Sequence, residues 1–236
     1  MRVFRLAAVA MLAMTAAGCF QMTTVVNVNA DGSGTIDHTM VVTKAALAQL
    51  RNFSALGGGR AQPLDLTSEE QARQMAETLG PGVAYLSSEP IDTPLGEGRH
   101  ALYAFRDISQ VRISQQPSTD GLPVKVNARS GDITCSLTHE ANGNAVLHIN
   151  LPEMSLPASL GNAANGNPGL AQQLALVRSL LAGARVSIGV DPAGQLVKTN
   201  SPFVDGGHVT LLDVNLDQVL TNEALLARLH LPADAP

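Results

Sequence analysis

The dipeptide Asp31-Gly32 interrupts two runs of Val, Ile and Thr in TTVVNVNADGSGTIDHTMVVT, and no other feature constrains the fold as much. Asp-Gly supplies the backbone angles of a tight turn, and β-branched residues on both sides read as paired strands, so a β-hairpin is expected here. The theme recurs. GVAYLSSEPI and HALYAFRDI are strand candidates joined by DTPLGEG, with Tyr103 and Phe105 on one face by alternation. This second hairpin is expected to extend the sheet of the first. GDITCSLTHE and NAVLHINLP flank a turn at Asn142-Gly143, ARVSIGVD and GQLVKTN flank Pro-Ala-Gly, and GHVTLLDVN follows Asp205-Gly206-Gly207.

Helical signals lie between these runs. From Thr43 or Lys44 to Phe53, Ala46, Leu47 and Leu50 share one side. In DLTSEEQARQMAETLG, Thr67 and Glu70 have capping-box spacing, Ala72, Met75, Ala76 and Leu79 share a face, and Gly80 supplies a stop. Residues 169–182 carry an apolar stripe of Leu170, Leu174, Val177 and Leu181, and TNEALLARLH reads as a short helix capped by Thr221. Because strands and helices alternate without a steady βαβ rhythm, the expected fold class is α+β. Its form would be a mostly antiparallel sheet built from hairpins, with several short helices packed on it. An N-terminal α+β region over 19–114 and a C-terminal one over 130–236 are expected, or one continuous domain. The weakest join is the polar, turn-rich SQQPSTDGLP.

Upstream of the first hairpin, Arg2 and Arg5 precede an apolar run from Leu6 to Ala17 that only Thr15 interrupts, and Ala16, Ala17 and Gly18 lead to Cys19. A basic start, about a dozen apolar residues and a small-residue end are the parts of a secretory signal peptide. A membrane-spanning helix needs roughly 20 apolar residues, so this run is too short to remain as an anchor. The ending resembles the lipobox of bacterial lipoproteins, although Ala16 stands where leucine is most frequent. That resemblance implies cleavage after residue 18 and a diacylglyceryl group on the Cys19 sulfur. At about 0.8 kcal/mol per buried methylene, two chains of roughly 15 methylenes contribute on the order of 20 kcal/mol, an effectively permanent attachment. Phe20, in place of an aspartate after the cysteine, implies sorting to the outer membrane, facing the periplasm, in a Gram-negative host.

A lipobox followed closely by a valine-rich strand, ADGSG and TIDHTMVVTKAAL is similar to the start of the LppM-like group of bacterial lipoproteins. The resemblance is clearest over residues 19–50 and extends to about residue 110. It implies a cell-envelope location and an α+β core, and it brings no catalytic residues with it.

Composition narrows the functions. Removing residues 1–18, which hold two of the 15 basic residues and none of the 20 acidic ones, leaves a formal charge of −7. An acidic domain without a basic stripe is a poor partner for phosphate backbones, so nucleic acid is excluded. Anionic headgroups likewise lack a polybasic segment to attract them, so membrane contact is assigned to the lipid on Cys19. Only Cys19 and Cys135 are cysteines, which leaves Cys135 without an intramolecular partner once Cys19 is acylated. Trp is absent and aromatic residues are few, which argues against stacking platforms for sugars or single-stranded nucleic acid.

No catalytic, cofactor or metal constellation is expected. Asn29, Asp31, Ser33 and Gly34 match the first half of a calcium loop, but Met40 stands where the bidentate glutamate is required, so these residues read as a hairpin turn. Cys135 and His139 would share a strand face about 13 Å apart, too far for a nucleophile and its base, and Cys135 reads as a buried apolar residue. His38, His100, His148, His208 and His230 stand singly. Ser33 in DGSG lacks the context of a nucleophile elbow, and GGGRA has no following Lys-Ser or Lys-Thr. Glu69 and Glu70 fit the positive end of a helix dipole.

The expected function is therefore a lipid-anchored, non-enzymatic envelope lipoprotein presenting its domain to an envelope protein or serving a structural role. An apolar-ligand module, with residues 169–182 covering a sheet, is the alternative. A hydrolase using dispersed acids or Cys135 is the third reading.

Overall fold

A computed structural model describes residues 20–48, 68–114, 131–152 and 183–215. The first hairpin forms as the Asp31-Gly32 signal requires, with β1 (Phe20–Val28) antiparallel to β2 (Gly34–Thr43) and Phe20 opposite Val42. Gly32 takes a φ of 84°, a left-handed conformation that only glycine adopts freely. Residues 44–48 are helical, and Ala46 and Leu47 are buried there against Val42, Phe20 and Met40. The remainder of that expected helix, like those at 169–182 and 221–230, lies outside the described residues.

The capping signal acts one residue later than expected. Helix α1 (Glu69–Thr78) is capped by Ser68, whose hydroxyl accepts the Gln71 N–H, so Ser68 takes the N-cap role read for Thr67, and the Glu70 carboxylate instead accepts from Gln74. Ala72, Ala76 and Leu79 are buried and Met75 packs beside them, while Glu69 and Glu70 occupy the first turn.

The second hairpin, β3 (Ala84–Asp92) and β4 (Gly96–Phe105), joins β2 through β4. After the 3-10 turn η1 (Ile108–Gln110), β5 (Arg112–Ile113), β6 (Ile133–His139) and β7 (Ala145–Asn150) make a small antiparallel sheet whose β6–β7 turn contains Gly143 at φ 87°. Finally β8 (Arg185–Pro192), β9 (Val204–Asp205) and β10 (His208–Asn215) complete the large sheet, in the order β3-β4-β2-β1-β8-β10-β9. GQLVKTN does not form the expected strand. The partners of β10 are β8 and, across the Gly206-Gly207 turn, the two-residue β9.

The α+β expectation is overturned. Of the described residues 54% are strand and 14% helix, and the large sheet is mixed. Gln21 to Val28 of β1 run parallel to Arg185 to Pro192 of β8, so the chain's first described strand is an interior one, between β2 and β8. Strand propensity from Val, Ile and Thr outweighs the few helical stretches, and the helices do not form a packed layer among the described residues.

Alternation divides the large sheet into two faces. Met22, Val26, Val28, Ile36, Ala101, Tyr103, Phe105, Val186, Ile188 and Val190 point to one side, where α1, η1 and the small sheet cover them with Ala72, Ala76, Ile108, Val111, Ile133 and Cys135. Backbone bonds tie these covering elements down. Arg112 donates to the Leu79 carbonyl at 2.7 Å, Ile108 donates to Gly32 at 2.9 Å, and the His139 ring bonds the Ala30 carbonyl at 2.8 Å.

Candidate functional site

Cys19, the expected lipidation site, lies outside the described residues and directly precedes Phe20, the first residue of β1. The sheet end that carries Phe20 is therefore the end of the described fold that adjoins Cys19 in the chain. Sheet register identifies what shares that end. Phe20 stands opposite Val42, and Val42 opposite Glu97, so the row from β1 to β4 continues into the β3–β4 turn. On the other side Gln21 stands beside Arg185, which pairs with Asn215.

The β3–β4 turn at this end is short and internally bonded. Thr93 donates its N–H to Gly96 at 2.9 Å, and Gly96 donates back to the Thr93 hydroxyl at 3.0 Å. The Leu95 carbonyl accepts the Lys44 N–H at 3.1 Å, which fixes the turn to the start of the helical segment. The Leu95 side chain is left 65% exposed. Two ion pairs lie at this end: Lys44 with Asp92 at 2.8 Å beside the turn, and, three strands away on β8 and β10, Arg185 with Asp213 through two bonds of 2.7 and 2.6 Å. These pairs hold the Asp213 carboxyl below and the Lys44 ammonium above their ordinary values. Among the described residues this end combines two ion pairs, the Glu97 carboxylate near Lys44 and the protruding Leu95 side chain.

No protein-family model and no curated protein matches this chain. A weak structural similarity is found to the folded domain of Mycobacterium tuberculosis LppM, determined by NMR. The two share 10% identity, with 84% of this chain and 82% of that one covered and a TM-score of 0.36.

The other sequence-singled residues are placed as follows. Asp31 accepts both the N–H and the hydroxyl of Ser33, at 2.9 and 2.6 Å, and Asn29 donates to the same hydroxyl at 3.0 Å. The Ser33 bonds hold the Asp31 carboxyl below its ordinary range, and the half calcium loop is spent on closing the hairpin. Cys135 is buried on the core-facing side of β6 in the small sheet, and burial pushes its thiol up to about 11. His139 bonds the Ala30 carbonyl, so the structure gives it a partner other than Cys135. Among the described residues no three His, Cys, Asp or Glu side chains gather as a metal site would need.

Sheet pairing creates four groupings that the sequence does not announce. His100 meets Asp37 at 2.9 Å and His208 meets Asp191 at 2.6 Å, both on the sheet face opposite α1, with Val25 in the row between them. His38 is buried on the core face and bonds the Thr24 hydroxyl at 2.9 Å. Beside α1, the Tyr85 hydroxyl contacts Glu69 at 3.2 Å and Ser88 at 2.8 Å while Arg73 lies 4.5 Å above its ring, and Arg99 donates to Ser88. Chain separations of 63 residues for His100 and Asp37 leave no local signal that sequence reading could use.

Proposed function

We propose that this protein is a lipid-anchored cell-envelope lipoprotein whose non-catalytic, strand-rich domain is held at a membrane by acyl chains on Cys19. In a Gram-negative host the membrane is the outer one, seen from the periplasm, and the domain serves an envelope protein partner or a structural role. The observation that carries this reading is the lipobox-like AAGC immediately before the residues of β1: cleavage after Gly18 keeps every described strand of both sheets on the retained side. A cut placed a few residues later would remove part of an interior strand and destabilise the core. Three of the singled-out titratable residues have structural roles, Asp31 in turn closure and Cys135 and His38 as buried groups.

The test is mass analysis of the N-terminal peptide of protein taken from envelopes. A peptide beginning at Cys19 and carrying a diacylglyceryl mass supports the proposal, and Cys19→Ser should release the domain from the membrane fraction. A mature chain that retains residues 1–18, or that begins at an unmodified Cys19, overturns it. Cross-linking in intact envelopes then identifies whether a protein partner lies against the domain.

A further inference from the structure

We propose that the anchored end of the large sheet rests on the bilayer surface, with the β3–β4 hairpin tip entering the headgroup layer through Leu95. This inference rests on the lipid-anchor reading. Given that anchor, sheet geometry decides which side chain meets the lipid.

Phe20, Val42 and Glu97 form one row across β1, β2 and β4. Two strand spacings, roughly 10 Å, separate β1 from β4. Cys19 lies one residue beyond that row and Leu95 two residues beyond it, on the same side. At a maximum of about 3.5 Å per residue, Leu95 reaches up to about 7 Å past the row while Cys19 reaches up to about 3.5 Å. Because β1 begins at the residue after the cysteine, no slack lets the sheet lift away from its acyl chains. A tether without a linker makes the second contact effectively intramolecular.

The tip suits such a contact. Lipid tolerates few unpaired backbone groups, and here the Thr93 N–H and the Leu95 carbonyl are bonded while Pro94 has no N–H. The Leu95 side chain is 65% exposed, and the nearby Lys44 is neutralised by Asp92. Behind the tip, Val42, Ala46 and Leu47 pack with Phe20 and Met40, so the hairpin is braced. The chain also carries its own control. Phe203, 68% exposed, flanks the far edge strand β9 away from the anchored row: its carbonyl accepts the Thr210 N–H, Thr210 pairs with Gly189 and Gly189 with Val25, five residues along β1 from Phe20.

The test uses the full lipidated protein in phosphatidylethanolamine–phosphatidylglycerol vesicles, with an environment-sensitive dye on Leu95→Cys or, separately, on Phe203→Cys. The buried Cys135 stays unlabelled in the folded protein. Nitroxide-bearing lipids should quench the dye at position 95 several-fold more than the dye at 203, with a blue shift only at 95. Equal, water-like behaviour at the two positions, in protein whose Cys19 acylation is confirmed by mass, overturns the docking while leaving the anchor intact. Absence of the acyl mass overturns the anchor, and the placement with it. To guard against a labelled tip that no longer packs, lipid cross-linking of unlabelled protein is compared with that of Leu95→Asp. Loss of the cross-links in the variant supports the contact, and unchanged cross-links reject it.

Discussion

The Thr24 hydroxyl and the His38 Nδ1 lie 2.9 Å apart between β1 and β2, both side chains buried on the core face of the large sheet. Burial disfavours the charged imidazole and holds the His38 pKa down to about 4 from 6.5; neighbouring Asp37 opposes the shift and His100 adds to it. The unfolded chain therefore binds the proton more readily between these values. Stability associated with this residue is complete above about pH 6.5 and is lost as pH falls toward 4. A displacement of this size corresponds to about 3 kcal/mol. Denaturant unfolding between pH 7 and 4 should show that loss, and His38→Gln should flatten the slope over this window whatever its stability at pH 7. An unchanged slope in the variant would assign the acid sensitivity elsewhere.

Two glycines inside strands should respond differently to alanine. At Gly98 a Cβ would fall on the Met40 carbonyl oxygen and crowd the Val41 Cα, so β2 and β4 would have to separate. At Gly189 the obstacle is the His208 ring, which is able to swing away at the expense of its 2.6 Å bond to Asp191. Gly98→Ala should cost about 3 kcal/mol or more and Gly189→Ala about 1 kcal/mol, in line with the split between backbone and side-chain obstruction. Thermal unfolding of the two variants measures the difference, and equal losses would contradict it.

These glycines also show where sequence reading stops. Gly96 and Gly98 in DTPLGEG read as turn formers, yet both lie in β4, where the absence of a side chain permits close approach to β2. Hairpins were legible because turn chemistry and alternation are local, as at Asp31-Gly32 and Asn142-Gly143. The parallel pairing of β1 with β8 was not, since Thr24 and Ile188 meet across most of the chain and each strand keeps the same alternation whichever neighbour it has. Leu196 and Val197 gave GQLVKTN the composition of a strand, but Val197 is exposed and no ladder forms there. At the sheet end that carries Phe20, Leu95 reads from sequence only as part of a loop, because its exposure there depends on the register of three strands.

The Tyr103 hydroxyl donates to the Ala72 carbonyl at 2.9 Å and so fastens α1 to the middle of β4. Its ring is fully buried, edge-on to Tyr85, and burial pushes its pKa up to about 12. Tyr103→Phe should keep the packing and cost about 1 kcal/mol for the lost bond. Glu69→Ala removes an exposed carboxylate from Arg73 and Tyr85, and solvent and salt screen such exposed pairs, so its effect should be smaller. Urea unfolding midpoints of the two variants provide the comparison. A larger loss at Glu69 would mean that the surface cluster, and not the Tyr103 bond, holds α1 in place.

Cys135 offers the last discrimination, between a structural thiol and a reactive one. It sits among Ile133, Ile113 and Ile108 with burial raising its pKa to about 11, despite the opposing charge of Arg112. Only the thiolate attacks an alkylating reagent, so at pH 8 the folded protein holds a very small reactive fraction behind a closed surface. Iodoacetamide should leave native Cys135 unmodified over hours and label it within minutes in denaturant, read as a mass increment on the peptide containing residues 133–139. Cys135→Ala should lose stability by about 1–2 kcal/mol through the vacated volume, whereas Cys135→Val should lose less. Rapid labelling of the native protein would show an accessible, activated sulfur and reopen the catalytic reading of Cys135.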